Sequence, residues 1–188
     1  MKRKKLNLGD IAPQFRTTDV LGNVVDLAVY KDKFVLLAFL RFSGCPFCNL
    51  TIHRLSMEYS MLTKNGCQVI AIVQSAGDGI KKNIYDRHKV RPPYPIIADP
   101  DRALCDLYGV RESKLAAVWS IKDIPYWIEA VYGHGFRQAE IDGSLLLVPA
   151  LFLVGPGDQK IVRAGYGSSF YDHATFTSIY ESLIFERM

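Results

Sequence analysis

Apolar and polar positions along this chain follow two patterns, nearly continuous apolar runs and longer stretches with helical spacing. The runs lie at residues 34–39, 68–73 and 94–98. Short apolar runs bounded by turn residues are typical of buried strands in a parallel sheet. Between the first two runs, residues from about 46 to 64 repeat their apolar side chains with helical spacing, and Asn65-Gly66 is a helix stop signal. The order of elements predicts an α/β layer sandwich with parallel central strands.

Two antiparallel hairpins are predicted beside these parallel strands. Residues 14–17 and 24–27 are short extended pieces around the turn signal Leu21-Gly22-Asn23. Farther along, an apolar run at 149–154 and a returning strand at 160–164 are separated by a turn rich in Gly and Pro. Because the second hairpin is antiparallel, the central sheet is expected to be mixed.

Three further helices are predicted outside the strands. A polar helix is expected near 78–89, a short helix at 100–108, and an amphipathic C-terminal helix from about Asp172 that closes one face of the sheet. Residues 111–148 interrupt the rhythm with aromatic residues at helical spacing followed by glycines, and they predict one or two helices plus a mobile loop. We therefore expect one domain over 1–188, with 111–148 as an inserted helical segment.

Composition places the chain among ordinary soluble proteins. With 188 residues, 49% hydrophobic and 22% charged, it is long enough for one sizeable core and too apolar to be disordered. The apolar run 34–40 is far too short to span a bilayer. The net charge is +4, and the basic terminus Lys2-Arg3-Lys4-Lys5 is more typical of a solvated end than of a signal peptide or a nucleic-acid contact. We expect a cytoplasmic protein without nucleic-acid or membrane partners.

Four cysteines, at positions 45, 48, 67 and 105, carry the candidate chemistry. Cys45 and Cys48 form a Cys-x-x-Cys pair at a predicted strand–helix junction, which in a reducing compartment favours a redox centre or a metal site. Zinc usually requires four ligands, and the four histidines are scattered singly along the chain. A structural disulfide closing so short a loop would remove little entropy from the unfolded chain. Redox chemistry explains more of the local sequence.

Pro46 determines where the first thiol lies relative to the helix. Proline suits the first helical position, so Cys45 falls at or near the N-cap, where its sulfur faces free backbone N–H groups and the positive end of the helix dipole. This environment favours the thiolate and lowers the thiol pKa. Arg41, at the end of the preceding strand, either adds a positive charge or is a solvated arginine. Cys48 lies one helical turn on, within disulfide reach.

Four segments, in chain order, resemble one known family. Residues 9–15 with the Gly22-Asn23 turn resemble its N-terminal hairpin, 39–48 its active-site strand and turn, 95–110 the segment after its third strand, and 152–158 its closing hairpin. Together they resemble the thioredoxin-fold redoxins, in particular the alkyl hydroperoxide reductase / thiol-specific antioxidant, or peroxiredoxin-like, family. The resemblance implies a thioredoxin-like three-layer α/β/α sandwich with a central mixed sheet, an N-terminal β-hairpin extension and a helical insertion.

Two departures from that family concern the site itself. The peroxiredoxin motif Pro-x-x-x-Thr/Ser-x-x-Cys, laid without gaps, places Arg41 at the proline, Cys45 at the hydroxyl residue and Cys48 at the peroxidatic cysteine. The family's activating hydroxyl is therefore absent. Val148-Pro149 stands where the family has an arginine, and it resembles the cis-proline beside the Cys-x-x-Cys pair of thioredoxins, which leaves a backbone edge for substrate. The scaffold resembles a peroxiredoxin and the active site resembles a thioredoxin.

The resemblance implies two assignments for the same catalytic residues, Cys45, Cys48 and Arg41. In a thioredoxin-like mechanism Cys45 attacks a disulfide and Cys48 resolves the mixed disulfide. In a peroxiredoxin-like mechanism Cys48 attacks a hydroperoxide and Cys45 condenses with the sulfenic acid. Both end in a disulfide that an external dithiol, such as a thioredoxin, reduces without a metal or organic cofactor. Hydroperoxides are the expected substrates and protein disulfides the alternative; a redox-sensing binding protein without turnover is a third hypothesis.

Three further features lie outside the Cys-x-x-Cys pair. Cys67 is expected to be a small core thiol at the start of a buried strand. Cys105 is also expected in the core, although some peroxiredoxins place a resolving cysteine in the corresponding helix. The aromatic segment 115–132 is interpreted as additional core, as a homodimer face or as a lid over the thiols.

Overall fold

The computed structural model of the chain describes residues 5–113 and 121–167. It begins with a two-stranded antiparallel hairpin, β1 (Arg16–Thr18) and β2 (Val24–Asp26). The carboxylate of Asp19 accepts the backbone N–H groups of Leu21 and Asn23 and so turns the chain between the two strands. The predicted N-terminal hairpin is confirmed.

The central sheet has five strands. They are β3 (Phe34–Leu40), β4 (Cys67–Val73), β5 (Ile96–Ala98), β6 (Ala150–Val154) and β7 (Ile161–Tyr166). Their spatial order is β5-β4-β3-β6-β7. The first three in sequence run parallel, β6 is antiparallel to β3, and β7 is antiparallel to β6. The prediction of a thioredoxin-like α/β fold with a central mixed sheet is confirmed.

Four α-helices connect or follow the strands in the described residues. They are α1 (Pro46–Lys64), α2 (Gly77–Ile80), α3 (Ala103–Leu107) and α4 (Ile124–Ile128). Both α2 and α4 continue into one π-helical turn, Lys81–Tyr85 and Glu129–Gly133 respectively, and 3₁₀ turns lie at Leu27–Tyr30 and Ile121–Asp123. No helix in these parts of the chain is both long and apolar enough to cross a bilayer.

Alternating side chains of β3 belong to two hydrophobic clusters, one on each face of the sheet. Leu36 and Leu40 belong to the cluster that includes the buried face of α1, whereas Leu37 and Phe39 belong to the cluster that includes the N-terminal hairpin and α3. Burying a side chain of this size contributes about 1.5–3 kcal/mol relative to leaving it exposed. The two clusters therefore hold a layer against each face of the sheet, with the start of α1 at one end of its central strand.

Several boundaries differ from the sequence-based expectation. The polar helix expected near 78–89 is shorter, because the π-helical turn ends at Tyr85 and the chain then turns His88 inward, where it is 94% buried. The short helix expected at 100–108 spans Ala103–Leu107. The amphipathic helix expected from about Asp172 lies outside the described residues, as does Trp119. That 1–188 form one domain with 111–148 as an insertion stays a prediction.

Candidate active site

The turn between β3 and α1 positions the two candidate thiols. The Cys45 N–H donates to the carbonyl of Phe42 at 3.2 Å, which turns the chain sharply after the strand. Cys45 is the N-cap of α1 with an extended backbone (φ −78°, ψ 125°), and Pro46 is the first helical residue. The predicted N-cap position of Cys45 is therefore confirmed. Cys48 follows in the same first helical turn, and both cysteines are free thiols.

Arg41 is buried against the first thiol. Its Nη2 lies 3.0 Å from Cys45 Sγ, and its Nη1 donates to the carbonyl of Leu145 at 3.2 Å. The arginine is only 4% exposed, and Cys45 and Cys48 are 0% and 3% exposed. Of the two interpretations that the sequence left open, the contact with Cys45 is the one present, and the solvated arginine is not. A catalytic role for the three residues stays a prediction.

The two thiols differ in proton affinity. Burial works to raise the pKa of both, but the hydrogen bond from the Cys48 thiol and the guanidinium charge of Arg41 lower the pKa of Cys45 to about 6. The Cys48 backbone N–H adds to this effect, although it makes no regular capping hydrogen bond. Burial, together with the hydrogen bond to Cys45 and its charge, raises the pKa of Cys48 well above the usual value. At neutral pH, Cys45 is therefore the thiolate and Cys48 the thiol that donates to it.

Asn49 and His88 hold the active-site turn from beneath. The Asn49 Nδ2 donates to the carbonyls of Ser43 and Cys45 at 2.7 and 3.0 Å. Its Oδ1 accepts from His88 Nε2 at 2.8 Å, which requires a proton on Nε2, and since burial lowers the His88 pKa to about 4 the ring is neutral at pH 7. His88 in turn stacks on Phe136, with ring centroids 4.5 Å apart. All hydrogen-bonding atoms of the buried Asn49 amide are thus engaged in keeping the turn in one conformation.

Residues 139–145, which we call the cap segment, lie over the same turn. The Ala139 N–H donates to the carbonyl of Gly44 at 3.0 Å, directly before Cys45. The carboxylate of Asp142 accepts from the hydroxyls of Ser75 and Ser43 at 2.8 and 3.2 Å. The sequence placed a lid, among other interpretations, in the aromatic segment 115–132. Residues 115–120 of that segment lie outside the described residues, so its role stays a prediction; among the described residues, this irregular stretch farther along the chain lies over the turn.

Val148 and Pro149 immediately precede β6. Ala150 pairs with Phe39, two residues before Arg41, so Pro149 lies at the same end of the sheet as the thiols. All described peptide bonds are trans, and the cis bond expected at Val148–Pro149 is therefore wrong. The neighbouring backbone groups are engaged within the fold, because Val148 N–H donates to Arg111 and the Pro149 carbonyl accepts from Gly167. Substrate binding by these two residues stays a prediction.

The other two cysteines lie away from the pair. Cys67 starts β4, is 1% exposed and packs in the core cluster, as expected for a core thiol. Cys105 belongs to the cluster on the opposite face of the sheet from Cys45 and Cys48. Burial and the adjacent carboxylate of Asp99 raise the pKa of the Cys105 thiol. Its position and protonation favour a core role over a resolving role.

The fold brings together histidines that are distant in sequence. The rings of His53 and His134 have centroids 4.3 Å apart, and the ring of His88 lies 6.4 Å from that of His53. In residues 5–113 and 121–167, however, no three His, Cys, Asp or Glu side chains are arranged to hold a metal ion.

Sequence reasoning missed five polar residues of the site: Ser43, Asn49, Ser75, His88 and Asp142. Asn49 alone had a local signal, since it follows the Cys-x-x-Cys pair in the first turn of α1. Ser43 lies two residues before Cys45, whereas Ser75, His88 and Asp142 come from three distant segments that no spacing in the sequence connects to the pair.

Comparison with known proteins agrees with the fold. A sequence model of the AhpC/TSA family matches residues 8–163. A 1-Cys peroxiredoxin of Dictyostelium discoideum is 28% identical over 122 residues, which are 63% of this chain and 51% of that protein. The thiol-disulfide oxidoreductase ResA of Bacillus cereus is 28% identical over 111 residues, 58% of this chain and 61% of that protein. The matches thus span between half and two thirds of the length of these relatives.

Solved structures show the same fold. Peroxidoxin BcpB of Mycobacterium tuberculosis superimposes with a TM-score of 0.68 at 16% identity, covering 95% of this chain and 96% of that one. Peroxiredoxin 6 of Arenicola marina gives a TM-score of 0.68 at 18% identity, covering 95% and 73%. Since the family model extends from the N-terminal hairpin to β7, the chain belongs to the AhpC/TSA family, a family of peroxiredoxin-like oxidoreductases with the thioredoxin fold.

Proposed function

We propose that this protein reduces hydroperoxides with Cys45 as the attacking thiolate and Cys48 as the resolving thiol. The observation that carries the proposal is the guanidinium of Arg41 at 3.0 Å from Cys45 Sγ, in a site where both groups are buried. A buried thiolate next to a fixed positive charge is nucleophilic at neutral pH. The assignment differs from the ungapped peroxiredoxin motif, which would make Cys48 the attacking residue.

The first step transfers one oxygen to sulfur. The Cys45 thiolate attacks the terminal oxygen of R–O–OH, the O–O bond breaks, and Cys45 becomes a sulfenic acid while RO⁻ leaves and takes up a proton to become ROH. Arg41 donates a hydrogen bond to Cys45 Sγ, next to the oxygen that takes up the negative charge as it leaves the sulfur. Its guanidinium thereby stabilises the thiolate before the reaction and the developing alkoxide during it.

The second step closes the disulfide. Cys48 follows Cys45 in the first turn of α1, and its thiol donates to the Cys45 sulfur. Cys48 attacks the sulfenic sulfur, a Cys45–Cys48 disulfide forms, and the sulfenic oxygen leaves as water with the Cys48 proton. An external dithiol then reduces the disulfide by exchange and becomes oxidised itself. The described residues supply both thiols and the cation, so the cycle uses no metal or organic cofactor.

Burial of the attacking sulfur favours a small substrate. Cys45 is 0% exposed, and disulfide exchange requires a substrate sulfur to approach it in line with the breaking S–S bond. A hydroperoxide presents a terminal oxygen that is far smaller than the surface around a protein disulfide. This observation favours hydroperoxides over protein disulfides.

Protein disulfide reduction is the second candidate. It is favoured by the position of a Cys-x-x-Cys pair at the start of α1, where Cys45 is the thiolate and Cys48 is protonated. The same pair would attack a disulfide and then resolve the mixed disulfide. Several relatives carry the name thiol-disulfide oxidoreductase.

Single-turnover chemistry tests the proposal. Reduced wild-type protein is mixed with hydrogen peroxide or cumene hydroperoxide, and the cysteine products are identified by peptide mass spectrometry. We expect a Cys45–Cys48 disulfide in wild type and a sulfenic acid at Cys45 in Cys48→Ser. Cys45→Ser should consume no peroxide, whereas the matched variant Cys105→Ser should behave as wild type. Peroxide consumption by Cys45→Ser, or insulin reduction without any peroxide consumption by wild type, would overturn the assignment.

A further inference from the structure

We infer that the cap segment, residues 139–145, is the specificity element of the dithiol site, which admits small hydroperoxides and excludes the disulfides of folded proteins. The substrate class rests on the function proposed above. Exclusion of large molecules by the cap is a property of the reduced protein. It can be measured with thiol reagents of known size, independently of whether the protein turns over hydroperoxides.

The N-terminal end of the cap lies directly on the residue before the nucleophile. Ala139 donates its backbone N–H to the Gly44 carbonyl at 3.0 Å. A Cβ on Gly44 would lie 2.5 Å from the backbone oxygen of Glu140, a distance that side-chain carbons do not adopt. Glycine at position 44 therefore permits the cap to approach the Cys45 turn closely.

The centre of the cap is anchored by one carboxylate. Asp142 accepts from Ser75 Oγ at 2.8 Å and from Ser43 Oγ at 3.2 Å, and both serines are 0% exposed. Asn83 supports this arrangement by donating its Nδ2 to Ser43 Oγ at 3.1 Å. Hydrogen bonds to a charged acceptor are stronger than neutral ones, and here they join the cap to the segments that follow both β3 and β4.

The C-terminal end of the cap is held by backbone and guanidinium contacts. Ser144 N–H donates to Gln74 Oε1 at 3.0 Å, and Arg41 Nη1 donates to the Leu145 carbonyl at 3.2 Å. A Cβ on Gly143 would lie 2.4 Å from the Gln74 carbonyl oxygen and 2.9 Å from the Cβ of Phe42. The cap is thus fastened at both ends and in its middle.

These tethers separate substrates by size. A hydroperoxide needs a gap of one or two atoms to reach Cys45 Sγ, which local fluctuation of the cap provides. A disulfide on a folded protein needs the whole segment to leave, so several tethers must break together. Each hydrogen bond that has to break on opening reduces the population of the open state by about five- to tenfold, and a substitution that removes such a bond raises that population by the same factor. The closed cap therefore favours the small substrate by the product of these factors.

Arg41 connects the cap to the chemistry of the thiolate. One of its nitrogens contacts Cys45 Sγ and another holds the Leu145 carbonyl. Formation of the Cys45–Cys48 disulfide removes the negative charge that attracts the guanidinium, and with it part of the force that holds this end of the cap. The cap is therefore held less firmly in the oxidised protein than in the reduced protein. A reducing dithiol reaches the Cys45–Cys48 disulfide more easily than a foreign disulfide reaches the Cys45 thiolate.

A pair of glycine substitutions tests the inference. Gly143→Ala forces the cap away from Gln74 and Phe42, whereas in the matched control Gly133→Ala the added Cβ meets only Glu129 Cγ at 3.8 Å, an ordinary contact. Reduced proteins are treated with N-ethylmaleimide or with a maleimide bearing a long poly(ethylene glycol) chain, and modification of Cys45 is followed by peptide mass spectrometry. We expect the bulky-to-small rate ratio to rise about tenfold in Gly143→Ala, as for the loss of one or two hydrogen bonds. Gly133→Ala should leave the ratio unchanged.

Further measurements keep the outcome decisive. Thiolate absorbance at 240 nm, unchanged in Gly143→Ala, shows that the Cys45–Arg41 contact persists. Asp142→Ala, compared with Asp142→Asn, opens the cap without a steric change and replaces Gly143→Ala if that variant does not fold. Insulin reduction should appear or increase in both opened variants. If Gly143→Ala and Asp142→Ala fold but leave the bulky-to-small rate ratio at Cys45 unchanged, the inference is overturned. If the ratio rises but the protein consumes no peroxide, the role of the cap is retained and the peroxidase function is rejected.

Discussion

Cys45 and Cys105 are both fully buried near the start of a helix, yet their thiols have opposite acidities. Cys45 is the N-cap of α1 and Cys105 lies in the first turn of α3, and each is 0% exposed. The pKa of Cys45 is lowered to about 6, although burial alone would raise it. The pKa of Cys105 is raised, first by burial and then by the carboxylate of Asp99. Neither burial nor a helix start therefore decides whether a thiol is reactive.

The partners of each thiol account for the difference, because the Cys48 hydrogen bond and the Arg41 guanidinium lower the pKa of Cys45, whereas the Asp99 carboxylate raises that of Cys105. Cys45 faces the guanidinium of Arg41 at 3.0 Å, whereas Cys105 has a carboxylate beside it whose Oδ2 accepts the Cys105 backbone N–H at 2.9 Å. In a buried site, where water screens little, neighbouring charges and hydrogen bonds shift the pKa of a thiol strongly. Four changes to the two thiols and their buried surroundings test this explanation, and each should have a smaller effect than the one before it.

Removing each sulfur gives the largest contrast. Cys45→Ser should reduce peroxide turnover by roughly 10³-fold or more, because the attacking nucleophile is lost. Cys105→Ser should retain near wild-type turnover, since its protonated thiol lies on the opposite face of the sheet. Steady-state peroxide consumption with dithiothreitol measures both. Equal losses in the two variants would mean that Cys105 takes part in the cycle.

Removing the cation should make Cys45 resemble Cys105. In Arg41→Met, only the hydrogen bonds from Cys48 still oppose burial, so the Cys45 pKa rises from about 6 toward that of an ordinary thiol. The thiolate fraction at pH 7 then falls, and the rate should drop about 10- to 100-fold, partly offset by the greater nucleophilicity of a more basic thiolate. The pH dependence of absorbance at 240 nm and of the single-turnover rate measures the shift. Arg41→Lys, which keeps the charge, should lie between the two, and an unmoved pKa in Arg41→Met would contradict the role of Arg41.

His88 is a buried base, and its pKa is shifted by burial as those of the two thiols are. Burial, with smaller contributions from His53 and Arg87, lowers the His88 pKa to about 4, and its Nδ1 has no hydrogen-bond partner among the described residues. Because the unfolded chain protonates first, near pH 6.5, the free energy of unfolding should fall as pH decreases from 6.5 to 4, by about 2 kcal/mol at pH 5. Urea unfolding at pH 7.5 and pH 5 measures this loss.

The control for this prediction is His88→Gln. A glutamine amide can still donate to Asn49 but does not titrate, so the variant should lose most of the pH-dependent difference between pH 7.5 and pH 5. If wild type and His88→Gln show the same difference, other groups carry it.

Changing the anion beside Cys105 should have the smallest effect. The Asp99 carboxylate accepts the backbone N–H groups of Leu104 and Cys105 and so caps α3. Asp99→Ala should therefore lower the free energy of unfolding by about 1 kcal/mol, and Asp99→Asn by less. The Cys105 pKa should fall in both variants but stay above normal, because burial remains its largest cause. Urea unfolding and the rate of Cys105 alkylation measure the two effects; fast alkylation of Cys105 would show that burial is the weaker cause.

The local part of the site was predictable from the sequence. The apolar strand, Pro46 and the helical pattern that follows place Cys45 at the N-cap, and all three are signals within a few residues of the thiol. The hairpins and parallel strands followed in the same way from apolar periodicity and turn residues. The trans bond at Val148–Pro149 was missed, because the resemblance to thioredoxins rested on two neighbouring residues. The backbone hydrogen bonds around that bond are made with Arg111 and Gly167, which are distant in sequence.

The contacts that set reactivity and access were decided only by the tertiary structure. Arg41 is four residues from Cys45, and its sequence position was equally consistent with solvent; burial beneath the cap brings the guanidinium to the sulfur. Asp142 reaches Ser43 across almost a hundred residues of sequence. Neighbouring residues can encode the local backbone geometry, and here that geometry places Cys45 rather than Cys48 at the N-cap of α1. Charge and steric access depend on which distant groups share a water-excluded space, and that is settled only when the chain has packed.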